Sequence, residues 1–101
     1  MTRRGEASRL RRGEHIETPL QRLLDARSIP SSRVEAKLRE RMGEGAPTEK
    51  QVGRWRLGRS EPRRKNWIRL LWAVREATND PTIRIEDIVD LDPDNPANWI
   101  D

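Results

Sequence analysis

Apolar residues recur along the chain at helical spacing, and each apolar stretch is introduced by helix-starting punctuation. "TPLQ" offers Thr18 as N-cap, Pro19 at the first helical position and Gln21 to complete a capping box. Leu20, Leu23 and Leu24 then share one face. This predicts a first helix that ends near Ser28, before "IPSS". Ser32 with Glu35 is a second capping box, followed by Val34, Leu38 and Met42 on one face. Arg33, Lys37, Arg39 and Arg41 lie around the rest of that helix, which "GEGAP" stops. Thr48 with Gln51 is a third capping box, directly after Pro47. Val52 and Trp55 face inward, Lys50 and Arg54 face outward, and Gly58 is a natural left-handed C-cap. Pro62 starts a predicted fourth helix running to about Thr78. Its stripe of Trp67, Leu70, Leu71, Val74 and Ala77 is widened by Ile68 and Trp72. "IRIEDIVDL" predicts a short fifth helix with Ile85, Ile88 and Leu91 inward. No stretch alternates with period two. The expected fold is all-α, four to five short helices, without an internal repeat.

Three regions follow from this pattern. Residues 1–17, "MTRRGEASRLRRGEHIE", lack a clear period and form a basic N-terminal arm, expected to be disordered. Residues 18–91 form the helical domain, and residues 92–101 form an acidic C-terminal tail, with Trp99 and Ile100 available to pin it. Only 33% of the 101 residues are hydrophobic and 38% are charged, so one small domain with a modest core is expected. There is no Phe, Tyr or Cys, and four Trp carry much of the burial. Without Cys there are no disulfides or thiolate metal sites. No apolar run is long enough to cross a membrane, and the N-terminus lacks the apolar block of a signal peptide. A cytoplasmic protein is expected, with no membrane partner.

The charge is unevenly placed. Residues 48–78 hold nine basic and three acidic groups, whereas residues 79–101 hold one basic and seven acidic. A basic cluster inside a folded segment is the electrostatic footprint of a polyanion binder. The Trp rings argue against single-strand stacking, because Trp55 and Trp67 occupy core positions.

The order helix, connection, helix, Gly turn, Pro, helix resembles the phage repressor and Cro-like helix-turn-helix family, also called the XRE family. The resemblance covers about residues 18 to 91, and its most specific piece is "QVGRWRLGRSEP". It implies a lambda-repressor-like helix-turn-helix domain whose third helix lies in the major groove of duplex DNA. Base contacts would then come from Glu49, Lys50, Gln51 and Arg54. Arg59, near the Gly turn, matches a family position that meets the DNA backbone. The second helix begins with Ser31, Ser32 and Arg33, and its N-terminus also points at phosphate in the family. Many members hold a buried Arg–Glu pair between the first and third helices. Those places correspond to Leu24 and Arg56 here, which leaves Arg56 for phosphate. The chain also departs from the family in its longer Val34-to-Val52 span, and in Leu57, where an Asn commonly precedes the turn Gly.

Arg63, Arg64 and Lys65 add a physical argument for phosphate contact. Cations in the first turn of a helix oppose its dipole by ~0.3–1 kcal/mol each. A phosphate docked at that N-terminus would reverse the sign. Arg3, Arg4, Arg9, Arg11 and Arg12 of the arm are candidates for a minor groove or for general backbone attraction.

The expected function is a sequence-specific transcriptional regulator, a repressor of Cro or autoregulatory type. It would bind a palindromic operator as a homodimer, with Trp72 and Trp99 as the candidate dimer interface. Repression by operator occupancy is expected, because the chain leaves no room for a separate effector domain. Such a protein would be bacterial or phage-encoded and would associate with the nucleoid through DNA. One alternative is an antitoxin that binds its own operator and holds a toxin. Another is an RNA-binding or accessory protein that uses the basic face without base readout. No enzyme, cofactor or metal is expected. His15 stands alone in the arm, and the Asp87, Asp90, Asp92 and Asp94 run lacks the Gly and closing Glu of a calcium loop.

Overall fold

Two threonines start two of the helices. Thr18 Oγ1 accepts the Gln21 N–H at 2.9 Å, and Thr48 Oγ1 accepts the Gln51 N–H at 3.2 Å. Each bond satisfies one of the first-turn donors that a helix leaves unpaired. The protein is described by a computed structural model covering residues 17–100. The predicted arm, His15 included, lies outside the described residues except for Glu17.

The helices are α1 (Pro19–Ala26), α2 (Ser31–Met42), α3 (Glu49–Leu57), α4 (Arg64–Thr78) and α5 (Ile85–Ile88). A 3-10 turn, Gly43–Gly45, follows α2, and another, Pro96–Trp99, lies in the acidic tail. Among the described residues there is no strand, and no helix is long and apolar enough to cross a membrane.

Burial follows the centres of the predicted stripes, with Leu23, Met42, Trp67, Leu71, Trp72 and Ile85 partly buried at their edges and Ile68 55% exposed, outside the α4 stripe. Leu20 and Leu24 of α1, Val34 and Leu38 of α2, Val52 and Trp55 of α3, and Leu70, Ala73, Val74 and Ala77 of α4 form one core with Ile29, Ile83 and Ile88. The long α4 lies along α2, α3 packs on α2 and α1, and α5 closes against α1 and α4. Two clasps secure the far end of α4. Arg75 Nε donates to the Ile83 carbonyl at 2.7 Å, and Arg27 Nη1 donates to Asp80 Oδ2 at 2.6 Å. The Thr82 hydroxyl, then Arg27, hold the Asp80 carboxyl down from 3.8 to about 2. The stability this adds is complete above the ordinary value of 3.8 and is lost as pH falls through about 2.

Several boundaries differ from the sequence reading. α1 stops at Ala26, because Ser28 takes a positive φ of 56° that turns the chain and buries Ile29. The Ser32–Glu35 capping box does not form. α2 begins two residues earlier, with Pro30 rather than Ser32 as N-cap, and Glu35 is buried and paired with Arg39 instead. The longer connection splits into an extra turn of α2, reaching Met42, and the 3-10 turn that extends it. Pro62 does not open α4. It is buried in the preceding turn, and the helix begins at Arg64 with Arg63 as N-cap. Leu91 is 64% exposed rather than inward, because α5 ends at Ile88. Trp99 and Ile100, 75% and 64% exposed, do not pin the tail.

Thr18 does more than cap α1. Its Oγ1 also donates to the Arg56 carbonyl at 2.6 Å, satisfying an acceptor left open at the end of α3. Thr18→Val keeps the shape and removes both bonds. It is expected to lower stability by about 1–2 kcal/mol in urea unfolding. Thr18→Ser should lose much less, and equal losses would show that the hydroxyl is not what matters.

Candidate nucleic-acid interface

α3 is oriented from both ends. Val52 and Trp55 are buried, so the helix turns its opposite side to solvent. Lys50, Gly53, Arg54 and Leu57 stand at i, i+3, i+4 and i+7, which places them in one stripe on that side. Lys50 and Arg54 are exposed, as is Glu49 at the helix start, and Gln51 is half-buried. Gly58 then ends the helix with φ +76°, a conformation that side chains strain to adopt. A Cβ on Gly58 would also stand 2.9 Å from Thr18 Cγ2, so this turn is packed directly on the start of α1.

Arg56 is not free for phosphate, which corrects the sequence expectation. Its Nη2 meets Asp25 Oδ1 at 2.5 Å, and its Nη1 donates to the Ile29 carbonyl at 2.8 Å and to Ser31 Oγ at 3.3 Å. Only 13% of the side chain is exposed. The α1–α3 ion pair therefore exists, with Asp25 as its acid, one position beyond Leu24. Sequence reasoning missed Asp25 because the register of α1 against α3 is a tertiary quantity. The same contact draws Ser31 into the joint, while Ser32 and Arg33 stay exposed on the first turn of α2.

The remaining cations divide cleanly among the described residues. Arg22, Arg27, Lys37, Arg39, Arg56 and Arg84 each pair with a carboxylate. Arg69 donates to Asn66, Arg75 to the Ile83 carbonyl, and Arg41 lies 4.9 Å over the Trp72 ring. The side chains of Arg33, Lys50, Arg54, Arg59, Arg63, Arg64 and Lys65 have no described side-chain partner, and all seven residues are exposed. These are the base and phosphate candidates of the sequence reading, less Arg56. α2 and α4 also lack the side-chain cap that α1 and α3 have, and neither has an acidic residue in its first turn. At the start of α2 the Arg33 N–H is taken by the Pro30 carbonyl at 3.0 Å, whereas no side chain caps the first turn of α4, where Arg64 and Lys65 stand next to the N-cap Arg63.

Acidic groups gather beside the Gly58 turn. An open groove of about 1250 Å³ runs between the α1 start, that turn and the tail, lined in part by Glu17, Glu86, Asp87, Asp90 and Asp92, with Arg22 and Arg59 also on its wall. Asp90 accepts from the Asp92 N–H at 2.9 Å and from Asn95 Nδ2 at 2.6 Å, and these bonds hold its carboxyl below the usual range. The tail acids thus shape a turn, and among the described residues no group of acidic or His side chains is placed to hold a metal.

Trp72 and Trp99 have different neighbours. Trp72 is half-buried under Arg41, whereas Trp99 donates to the Pro93 carbonyl at 2.8 Å and lines a shallow groove with Trp67 and Leu91.

No family model matches the chain, and neither does any curated protein or solved structure.

Arg56→Ala is expected to destabilise the fold by about 1.5 kcal/mol, the low end for a charged hydrogen bond because Asp25 is half exposed. Urea unfolding measures this, and an unchanged midpoint would return Arg56 to the pool of surface cations.

Proposed function

We propose that the chain is a sequence-specific binder of double-stranded DNA, with α2 and α3 as a helix-turn-helix and α3 as the helix that enters the major groove. The observation that carries the reading is the division of cations. Nine described Lys and Arg side chains have intramolecular partners, and those that do not are the residues at the start of α2, on the outward stripe of α3, in the Gly58 turn and at the start of α4. A fold that leaves its cations unpaired in this pattern keeps their full charge for an external polyanion.

In this reading the roles separate by position. Lys50 and Arg54, with Glu49 and Gln51, meet base edges. Arg33, Arg59, Arg63, Arg64 and Lys65 meet phosphates, helped by the uncapped N–H groups of α2 and α4. Ser32 supplies a hydroxyl at the same end of α2. The protein acts as a transcriptional regulator by occupying its operator, in the cytoplasm and on the nucleoid. The acidic tail repels DNA approaching from its own side.

A duplex selected by the protein from a randomised pool provides the test. Five phosphate contacts predict that log affinity falls with log salt at a slope of roughly −4 to −5. Arg63→Ala should weaken all duplexes alike and make that slope shallower by about one. Arg54→Ala should cost about 1–3 kcal/mol and relax preference at one base pair. Binding no tighter to the selected duplex than to a random one would sink the regulator reading.

Exposed Leu91, Trp99, Ile100 and Ile68 favour a protein partner as well. We take that partner to be a second copy, giving a homodimer on two half-sites, with a toxin as the alternative occupant. Trp99→Asp should reduce the mass measured by light scattering from two chains to one. A wild-type protein that is already a single chain would exclude the homodimer.

A further inference from the structure

Gly53 is an anomaly in α3. Glycine is the poorest helix former after proline, yet it occupies the middle of a nine-residue helix. Two other glycines near α3 have internal reasons, while Gly45, outside any α-helix, has neither a positive φ nor a close neighbour. Gly58 has φ +76° and close contact with Thr18, and Gly43 has φ +73° where α2 gives way to its 3-10 turn. Gly53 has neither reason. Its φ is not in the left-handed region, and a Cβ built on it meets nothing within 4 Å. Among the described residues, nothing gains from the missing side chain.

A gain is available from outside. Gly53 lies on the outward stripe between Lys50 and Arg54, one turn before Leu57. We infer that Gly53 is the point of closest approach between α3 and the floor of the major groove, and therefore a specificity-determining position. This inference rests on the DNA-binding reading. Without a side chain, the helix backbone seats deeper between the groove walls. The long side chains of Lys50 and Arg54, on either side of the notch, then reach base edges rather than stopping at phosphates. A methyl group at Gly53 would hold the helix off and shorten the reach of both.

The prediction separates stability from binding, because the two should move in opposite directions. Gly53→Ala removes a poor helix former and should raise Tm by about 4–8 °C. The same variant should bind the duplex selected by wild-type protein about tenfold more weakly, at one salt concentration. Gly53→Leu should bind more weakly still while remaining folded by circular dichroism. A Gly53→Ala protein with raised Tm and wild-type affinity would overturn the role of Gly53, yet leave the Arg54 and Arg63 effects standing. A lowered Tm would also overturn it, by placing the need for glycine inside the fold. If wild-type protein shows no preference among duplexes, both the inference and the reading beneath it fail.

Discussion

The orientation of α3 depends on one joint. At its core, the Arg56 side chain reaches Asp25, the Ile29 carbonyl and Ser31, while the Arg56 carbonyl accepts from Thr18. A single residue thus links the end of α3 to both ends of α1 and to the first turn of α2. Arg suits this task because its planar group offers several donors in fixed directions. Gly58 then packs its bare Cα against Thr18, so the chain leaves α3 in one direction only. Val52 and Trp55 hold the middle of the helix, and the joint fixes its end. The outward stripe is rigid as a consequence.

That rigidity gives the charge pattern its meaning. Exposed ion pairs contribute little to stability, about 0–1 kcal/mol each. Their effect here is better understood as selection. Pairing neutralises the cations of the α1 flank, the outer α2 surface and the α4–α5 connection. It leaves a basic set at two uncapped helix starts, on α3 and in the turn after it. The acids that might have neutralised this set are instead bonded within the tail turn around Asp90 and Asp92.

How legible the fold was in the sequence depended on the range of each signal. The caps of Thr18 and Thr48 and the left-handed turn at Gly58 act within a turn of themselves and form as their neighbours predict, whereas the Thr18–Arg56 and Thr18–Gly58 contacts are long-range. The Ser32–Glu35 signal was just as local, and it failed. Burying Glu35 and pairing it with Arg39 one turn along the same helix outcompeted a cap, and Pro30 already set the helix start two residues earlier. Pro62 failed for a similar reason, since its ring was drawn into the core of the turn. Leu91 and Trp99 were apolar letters with no partner element to cover them, and a sequence pattern does not say whether a partner exists. Within the candidate interface, Lys50 and Arg54 were legible from helical spacing alone. Gly53 stands in the sequence as a helix-interior glycine, but the open space beside it is a tertiary fact.

The sequence by itself determined the helices and their faces, because capping and apolar periodicity are decided by residues a few positions apart. It also determined where the cations lie along the chain. Only the tertiary structure decided which of them remain free. Arg56 and Arg54 are two residues apart on the same helix and chemically identical. One is turned onto Asp25 and Ser31, which approach it from elsewhere in the chain, and the other faces solvent. Partnership over such distances is set by how α1, α2 and α3 stack around Leu24, Val34 and Val52, a packing outcome to which every buried residue contributes.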